Sequence, residues 1–293
     1  MKQLAIFCFA LIILLYSNTN AQSTATQNQT EQVAEARRRV VEPPKITRLD
    51  LAVVNVPMLG STLPLIEVRL NGKGPYKLLI DTAANVTLLQ TRVSDELKLP
   101  VLRPGETSRL VSLTSLQIGD AHFQDLVVGA KVWNESIDGV IGFNLFADCL
   151  LTIDYTRQRI ILRKGTLPPA NARDIFTYGL DNRRPTLPIV IGNERLTVLV
   201  DTGAAQGVVI PNTIASKLRF AGGLAAGPNL STFDTPQSRA LMGRLSGSII
   251  IGIHEISEPT VHVWNDVPII GSGLLQDFVL TFDQKNRTLR ISL

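Results

Sequence analysis

The chain has 293 residues, of which 45% are hydrophobic and 18% charged, with a net charge of +4. That composition supports a sizeable core and excludes wholesale disorder. The small, scattered positive excess excludes a nucleic-acid role, and the one tight basic run, Arg37-Arg38-Arg39, reads as a solvated tail segment.

Residues 1–21 read as a secretory signal: Lys2, a 13-residue apolar run from Leu4 to Tyr16, then small and polar residues with a cut after Ala21. No Leu-x-x-Cys pattern follows, so the rival reading is an uncleaved anchor, the only case in which a membrane would be a partner. The expected location is exported, periplasmic or secreted, in a bacterial setting. Five Asn-x-Ser/Thr sequons occur, and a glycan on Asn85-Val86-Thr87 would crowd the site proposed below. Residues 22–50 are polar, then charged, with Pro43-Pro44, and read as a tail or linker.

From there to the end, short apolar or alternating runs are broken by Gly, Asn, Asp and Pro, as in a mostly-β protein. Leu65 to Leu70 alternates at period two and Asn71-Gly72 supplies a turn. Tyr76 to Ile80 is the next strand. A helix is expected over Thr91 to Leu99, stopped by Pro100. Cys149 lies in apolar FADCLL and reads as a buried structural thiol; with Cys8 removed it has no internal partner. His122, His254 and His262 sit in strand-like runs without metal-ligand spacing, and His254-Glu255 lacks the second histidine of a zinc helix. No G-x-S-x-G elbow or phosphate loop occurs. No metal and no cofactor are expected.

The order of elements occurs twice. LLIDTAANVTLL, with Asp81-Thr82-Ala83, has a counterpart in VLVDTGAAQGVVI, with Asp201-Thr202-Gly203, the two aspartates standing 120 residues apart. Arg92 to Leu99 corresponds to Thr213 to Phe220, and Leu116-Gln117-Ile118-Gly119 to Ile249-Ile250-Ile251-Gly252. Trp133-Asn134 corresponds to Trp264-Asn265, Val140-Ile141-Gly142-Phe143 to Ile269-Ile270-Gly271-Ser272, and Leu151-Thr152-Ile153-Asp154 to Leu280-Thr281-Phe282-Asp283. The expected organisation is an N-terminal lobe over 51–165, a linker over 166–185 and a C-terminal lobe over 186–293. Asp154 and Asp283 read as hairpin-turn residues, and the two tryptophans as core or lobe-contact residues.

If two such lobes pack about a pseudo-two-fold axis, Asp81 and Asp201 meet at it. Two adjacent carboxylates do not both ionise easily, so one keeps a proton; the aspartic-protease dyad is the usual illustration of this effect. The ionised partner can activate a water, and the protonated one can polarise a carbonyl and later protonate the leaving amine. Thr82 and Thr202 can lock the loops by bonding across to the opposite backbone. Gly203 permits a close approach, and Gly142 and Gly271 let the buried strands at 140–142 and 269–271 pass behind the loops.

These residues together resemble the retropepsin-like aspartic protease superfamily, and within it the bacterial, signal-bearing, two-copy members. The resemblance rests on Asp81-Thr82-Ala83-Ala84, Asp201-Thr202-Gly203-Ala204 and the apolar-apolar-Gly motifs at 140–142 and 269–271, and spans roughly residues 55–293. It implies two pseudo-symmetric β-barrel lobes, a cleft between them, a peptide or protein substrate, and a single-chain monomer carrying one catalytic aspartate per lobe. It also implies a β-hairpin flap per lobe, expected near Pro104 to Leu113 and Leu230 to Met242.

Ala83 stands where the family usually has glycine. A left-handed turn there would cost alanine about 1 kcal/mol, and its methyl could push the loop away from its partner. Two alternatives therefore stand beside the endopeptidase: a catalytically inactive peptide-binding module on the same scaffold, and an assembly in which Asp201 lobes of two chains pair.

Overall fold

The structure, a computed structural model, describes residues 6–7, 45–48, 53–133, 136–232, 237–264 and 267–293. Apart from the two-residue strand Ile6–Phe7 and the strand Lys45–Arg48, the expected signal and polar tail lie outside the described residues. So do Asn134 and Asn265 of the Trp-Asn pairs.

The first lobe is a closed six-stranded barrel. Its strands run around the wall in the order Ser108–Ile118, Leu65–Leu70, Lys73–Asp81, Gly139–Gly142, Leu88–Gln90 and Ala121–Lys131, and the last pairs back onto the first. The alternation read in Leu65–Leu70 gives the inside: Ile66, Val68 and Leu70 are buried while Glu67 and Arg69 face water. The helix expected over Thr91 to Leu99 is shorter, Thr91–Glu96. Lys98 takes a left-handed φ of 52° and turns the chain two residues before Pro100, so the proline is not what stops it.

The second lobe pairs equivalent strands in the same order: Arg184–Ile191, Glu194–Asp201, Ile269–Gly271, Val208–Ile210 and Thr260–Val263. Its two long hairpin strands are each broken once, into Ser238–Leu245 with Ser248–Ile251 and His254–Ser257 with Thr260–Val263. Pro259 has no N–H to give the ladder, and its carbonyl instead takes the Leu245 N–H at 3.0 Å.

A third sheet of six strands joins the lobes, in the order Ile175–Thr177, Thr288–Ser292, Val279–Asp283, Leu150–Asp154, Arg159–Arg163 and Val54–Pro57. The stretch expected as a linker supplies Ile175–Thr177 to this sheet and Gly179–Asp181 to the second lobe. At its centre Leu150–Asp154 lies antiparallel to Val279–Asp283, with Thr152 opposite Thr281 and their buried hydroxyls 2.9 Å apart. The two Leu-Thr-x-Asp motifs are therefore each other's partners across the seam. Asp154 then anchors its turn, its Oδ1 accepting the Arg157 N–H at 2.9 Å, and Asp283 does the same for Asn286 at 3.1 Å.

The threonine pair gives a direct test of the seam. Thr152→Val or Thr281→Val alone strands one buried hydroxyl and is expected to cost about 1–2 kcal/mol, whereas the double variant recovers much of that. A denaturant-melt double-mutant cycle reads the coupling; additive losses would mean the hydroxyls do not interact.

Candidate active site

Each aspartate ends a strand that is buried on both faces. Leu78 to Ile80 and Val198 to Val200 are at most 2% exposed, because each strand runs parallel to the apolar-apolar-Gly segment behind it. The register sets Asp81 beside Gly142 and Asp201 beside Gly271. Side chains at these glycines would strike backbone: a Cβ on Gly142 would lie 2.4 Å from the carbonyl carbon of Val86, and one on Gly271 would lie 2.3 Å from the Gln206 oxygen. Close approach, not backbone handedness, excludes larger residues there.

The loops are fastened to each other through their threonines. Thr82 Oγ1 donates to the Val200 carbonyl at 2.5 Å and accepts the Thr202 N–H at 3.1 Å. Thr202 Oγ1 donates to the Ile80 carbonyl at 2.9 Å and accepts the Thr82 N–H at 3.1 Å. Every one of these bonds crosses between lobes and is buried. Thr202→Val would lose a donor and an acceptor at once. The expected cost is about 2–4 kcal/mol, read by denaturant unfolding, with Thr202→Ser retaining most of the stability.

Each carboxylate is held by the turn that follows it. Asp81 Oδ1 accepts the N–H groups of Ala83 and Ala84 at 2.7 and 3.1 Å; Asp201 Oδ1 accepts those of Gly203 and Ala204 at 2.9 and 3.0 Å. Both aspartates are buried, and Asp201 Oδ2 has no hydrogen-bond partner. The second loop lies directly on the first carboxylate, since a Cβ on Gly203 would fall 2.5 Å from Asp81 Oδ2. Ala83 takes an ordinary φ, so the feared strain is absent. Its methyl is fully buried in an apolar cluster with Leu199, Ala204 and Ile269 of the second lobe.

Burial and then the adjacent Asp81 push the Asp201 carboxyl well above the usual carboxylate range; the Gly203 and Ala204 N–H groups and the Arg184 charge oppose this and are outweighed. A carboxyl raised in the folded state favours folding fully below its unfolded pKa and loses that contribution as pH rises through the folded value. Wild type should therefore lose stability relative to Asp201→Asn as pH climbs above about 4. Paired thermal melts across pH check the sign; a gap that widens toward acid would contradict it.

Sequence reasoning missed three features. Tyr155, in the seam turn of the first lobe, shares a 2.8 Å hydrogen bond with Ser272, whose hydroxyl donates to the Thr202 carbonyl at 2.7 Å, so the Asp201 loop is braced from the other lobe. The only sequence sign was Ser272 standing where the first copy has Phe143. Arg184 is buried and ion-paired with Asp181 beside the second strand. A cavity of about 660 Å³ opens between the lobes, walled by Leu63, Leu79 and Ile137 on one side and Gln206, Met242 and His262 on the other.

Antiparallel hairpins stand where flaps were expected, Val101–Arg103 with Ser108–Ile118 and Phe220–Thr232 with Ser238–Leu245; residues 233–236 at the second tip lie outside the described residues. Trp264 is buried and donates from Nε1 to Ser238 Oγ at 2.6 Å. Asn85 is 8% exposed and its amide donates to the Asn182 carbonyl at 3.4 Å, which leaves no room for a glycan. Cys149 is buried and free, and burial, with Asp148 nearby, pushes its thiol up to about 12, which makes it inert.

Two barrels whose aspartate loops are joined at their seam have the architecture of the retropepsin-like class. Among known families, the model described as aspartyl protease matches residues 66–145, which include Asp81, Thr82 and Gly142. The match supports this superfamily, and a hydrolase of aspartic-protease type, at the level of the family. No curated protein matches the chain.

Proposed function

We propose that the chain is a single-chain aspartic endopeptidase in which Asp81 and Asp201 act as one dyad. The observation that carries this reading is the cross-lobe threonine grip, which brings both loops together with Gly203 seated on the Asp81 carboxylate. With one proton on the pair, the ionised carboxylate takes a proton from a water as it attacks the scissile carbonyl. The protonated carboxyl donates to the carbonyl oxygen, giving a neutral tetrahedral diol. Collapse of the diol breaks the C–N bond as a proton passes to the departing amine, and the pair returns to its singly protonated state. The same reading takes a peptide or protein as substrate, a monomer as the working unit, and export through residues 1–21 into a periplasmic or extracellular space.

The test is digestion of an unbiased peptide mixture by the protein from acidic to neutral pH, with product sequencing. Endoproteolytic cuts favoured where the pair holds one proton are expected. A folded protein that binds peptides and cuts none at any pH would replace this reading with the inactive binding module.

A further inference from the structure

The residue that follows each apolar-apolar-Gly segment sits behind the aspartate loop of its own lobe. Its backbone serves both lobes alike: the Phe143 N–H donates to the Ala84 carbonyl at 2.7 Å, and the Ser272 N–H to the Ala204 carbonyl at 2.8 Å. The side chains differ. The Phe143 ring packs on Phe282, with centroids 5.2 Å apart, and has no polar atom to offer the Asp81 loop. Ser272 is fully buried, and its hydroxyl donates to the Thr202 carbonyl at 2.7 Å.

A second pair of equivalent residues crosses the seam to these positions. Tyr155 follows Asp154 and reaches the Ser272 hydroxyl at 2.8 Å; Gln284 follows Asp283, and its amide donates to the Phe143 carbonyl. Gln284 therefore ends on backbone, whereas Tyr155 ends on a group that passes the bond on. Proton count fixes the direction. A serine hydroxyl has one hydrogen, and Ser272 gives its own to Thr202, so Tyr155 donates to Ser272 Oγ. Tyr155 keeps its proton, because burial pushes the phenol above its usual range; this outweighs the bond to Ser272, and the charges of Asp201 and Asp81 add to it.

The Thr202 carbonyl belongs to the same peptide group as the Gly203 N–H, which donates to Asp201 Oδ1 at 2.9 Å. A chain of bonds thus runs from Tyr155 through Ser272 and this peptide to the Asp201 carboxyl. A carbonyl that accepts a hydrogen bond makes its own peptide N–H a stronger donor, and a stronger donor favours the ionised carboxyl. The same bond fixes the plane of the peptide and so the aim of that N–H.

We infer that Tyr155 and Ser272 are positioning residues for the dyad: through the Thr202–Gly203 peptide they aim and polarise the N–H that holds Asp201, with no equivalent hydroxyl behind Asp81. This rests on the dyad reading above and adds an inequality between its halves. Two charged groups also bear on Asp201: Asp81 from the facing loop opposes its ionisation and Arg184 favours it. The variants below leave both in place.

The experiment uses the full chain with Ser272→Ala, Tyr155→Phe, the two together, and Gln284→Met as the mirror control. Two readouts are taken: kcat, KM and their pH profiles for peptide cleavage, and titration of the aspartate carboxyls by carbon NMR, which needs no turnover. Ser272→Ala should lower kcat about tenfold with KM little changed. It should also move the acid limb of the profile, and the first titration step of the pair, up by about half a pH unit or more. Tyr155→Phe should do the same to a smaller degree. The double variant should match Ser272→Ala, because Tyr155 acts only through that hydroxyl. Gln284→Met also loses a bond across the seam, and should cost stability without moving the pH profile. A titration step that moves in a chain that cuts nothing removes the endopeptidase reading and keeps the positioning role. Cleavage by wild type, with profile and titration unmoved in Ser272→Ala, overturns the positioning role and keeps the protease. So do single losses that add in the double variant, or a shift as large in Gln284→Met. If Ser272→Ala fails to fold, Tyr155→Phe, which removes one oxygen, decides by the same readouts.

Discussion

Asp81→Asn and Asp201→Asn are each expected to lower kcat/KM for peptide cleavage by about 10³-fold or more while leaving the fold in place. Loss of a positioned acid or base alone typically costs 10²–10⁴-fold, and here either change also removes the charge balance that keeps one proton on the pair. Asparagine can still accept the Ala83 and Ala84 N–H groups at the first site, or those of Gly203 and Ala204 at the second. The turns should therefore persist, and the far-ultraviolet circular dichroism should match wild type. Equal losses at the two sites would mark a single dyad. Full activity in Asp81→Asn would instead point to pairing of Asp201 lobes from two chains.

Gly203→Ala is expected to cost about 10²-fold in kcat with a smaller change in KM. The new Cβ would sit 2.5 Å from Asp81 Oδ2 and 2.6 Å from its Cγ, so loop or carboxylate must shift. Asp81 has little freedom to yield, because its Oδ1 is held by two N–H groups of its own turn. A displacement of about 1 Å in a reacting group is enough for a loss of that size. The matching position in the first lobe behaves differently. Ala83 already carries a methyl, and that methyl is buried in second-lobe apolar side chains. The two turns share a hydrogen-bond pattern but not the space around the third residue. Single-turnover cleavage with Gly203→Ala and wild type separates chemistry from binding; an unchanged rate would show that the carboxylates tolerate the shift.

The family resemblance and the fold class were legible because both rest on local pattern. Period-two runs, turn residues and the doubled Asp-Thr motifs are written in consecutive positions, and the motif in the first lobe lies inside the stretch that matches the aspartyl protease family. The same local reading overextended the helix after Gln90, because the left-handed turn at Lys98 has no composition signal. It also raised a concern over Ala83 that only backbone angles resolved.

The sequence by itself determined the two β lobes, the aspartate–threonine loops and the glycines behind them, since each depends on side-chain type at fixed spacing. Tertiary structure alone decided what depends on distance across the seam. It paired Thr152 with Thr281 and carried Tyr155 to Ser272, a residue 117 positions away. It also set Gln206 and His262 on one wall of a cavity whose other wall is the first lobe. No local pattern specifies such meetings, because they follow from how two curved barrels close on a shared sheet.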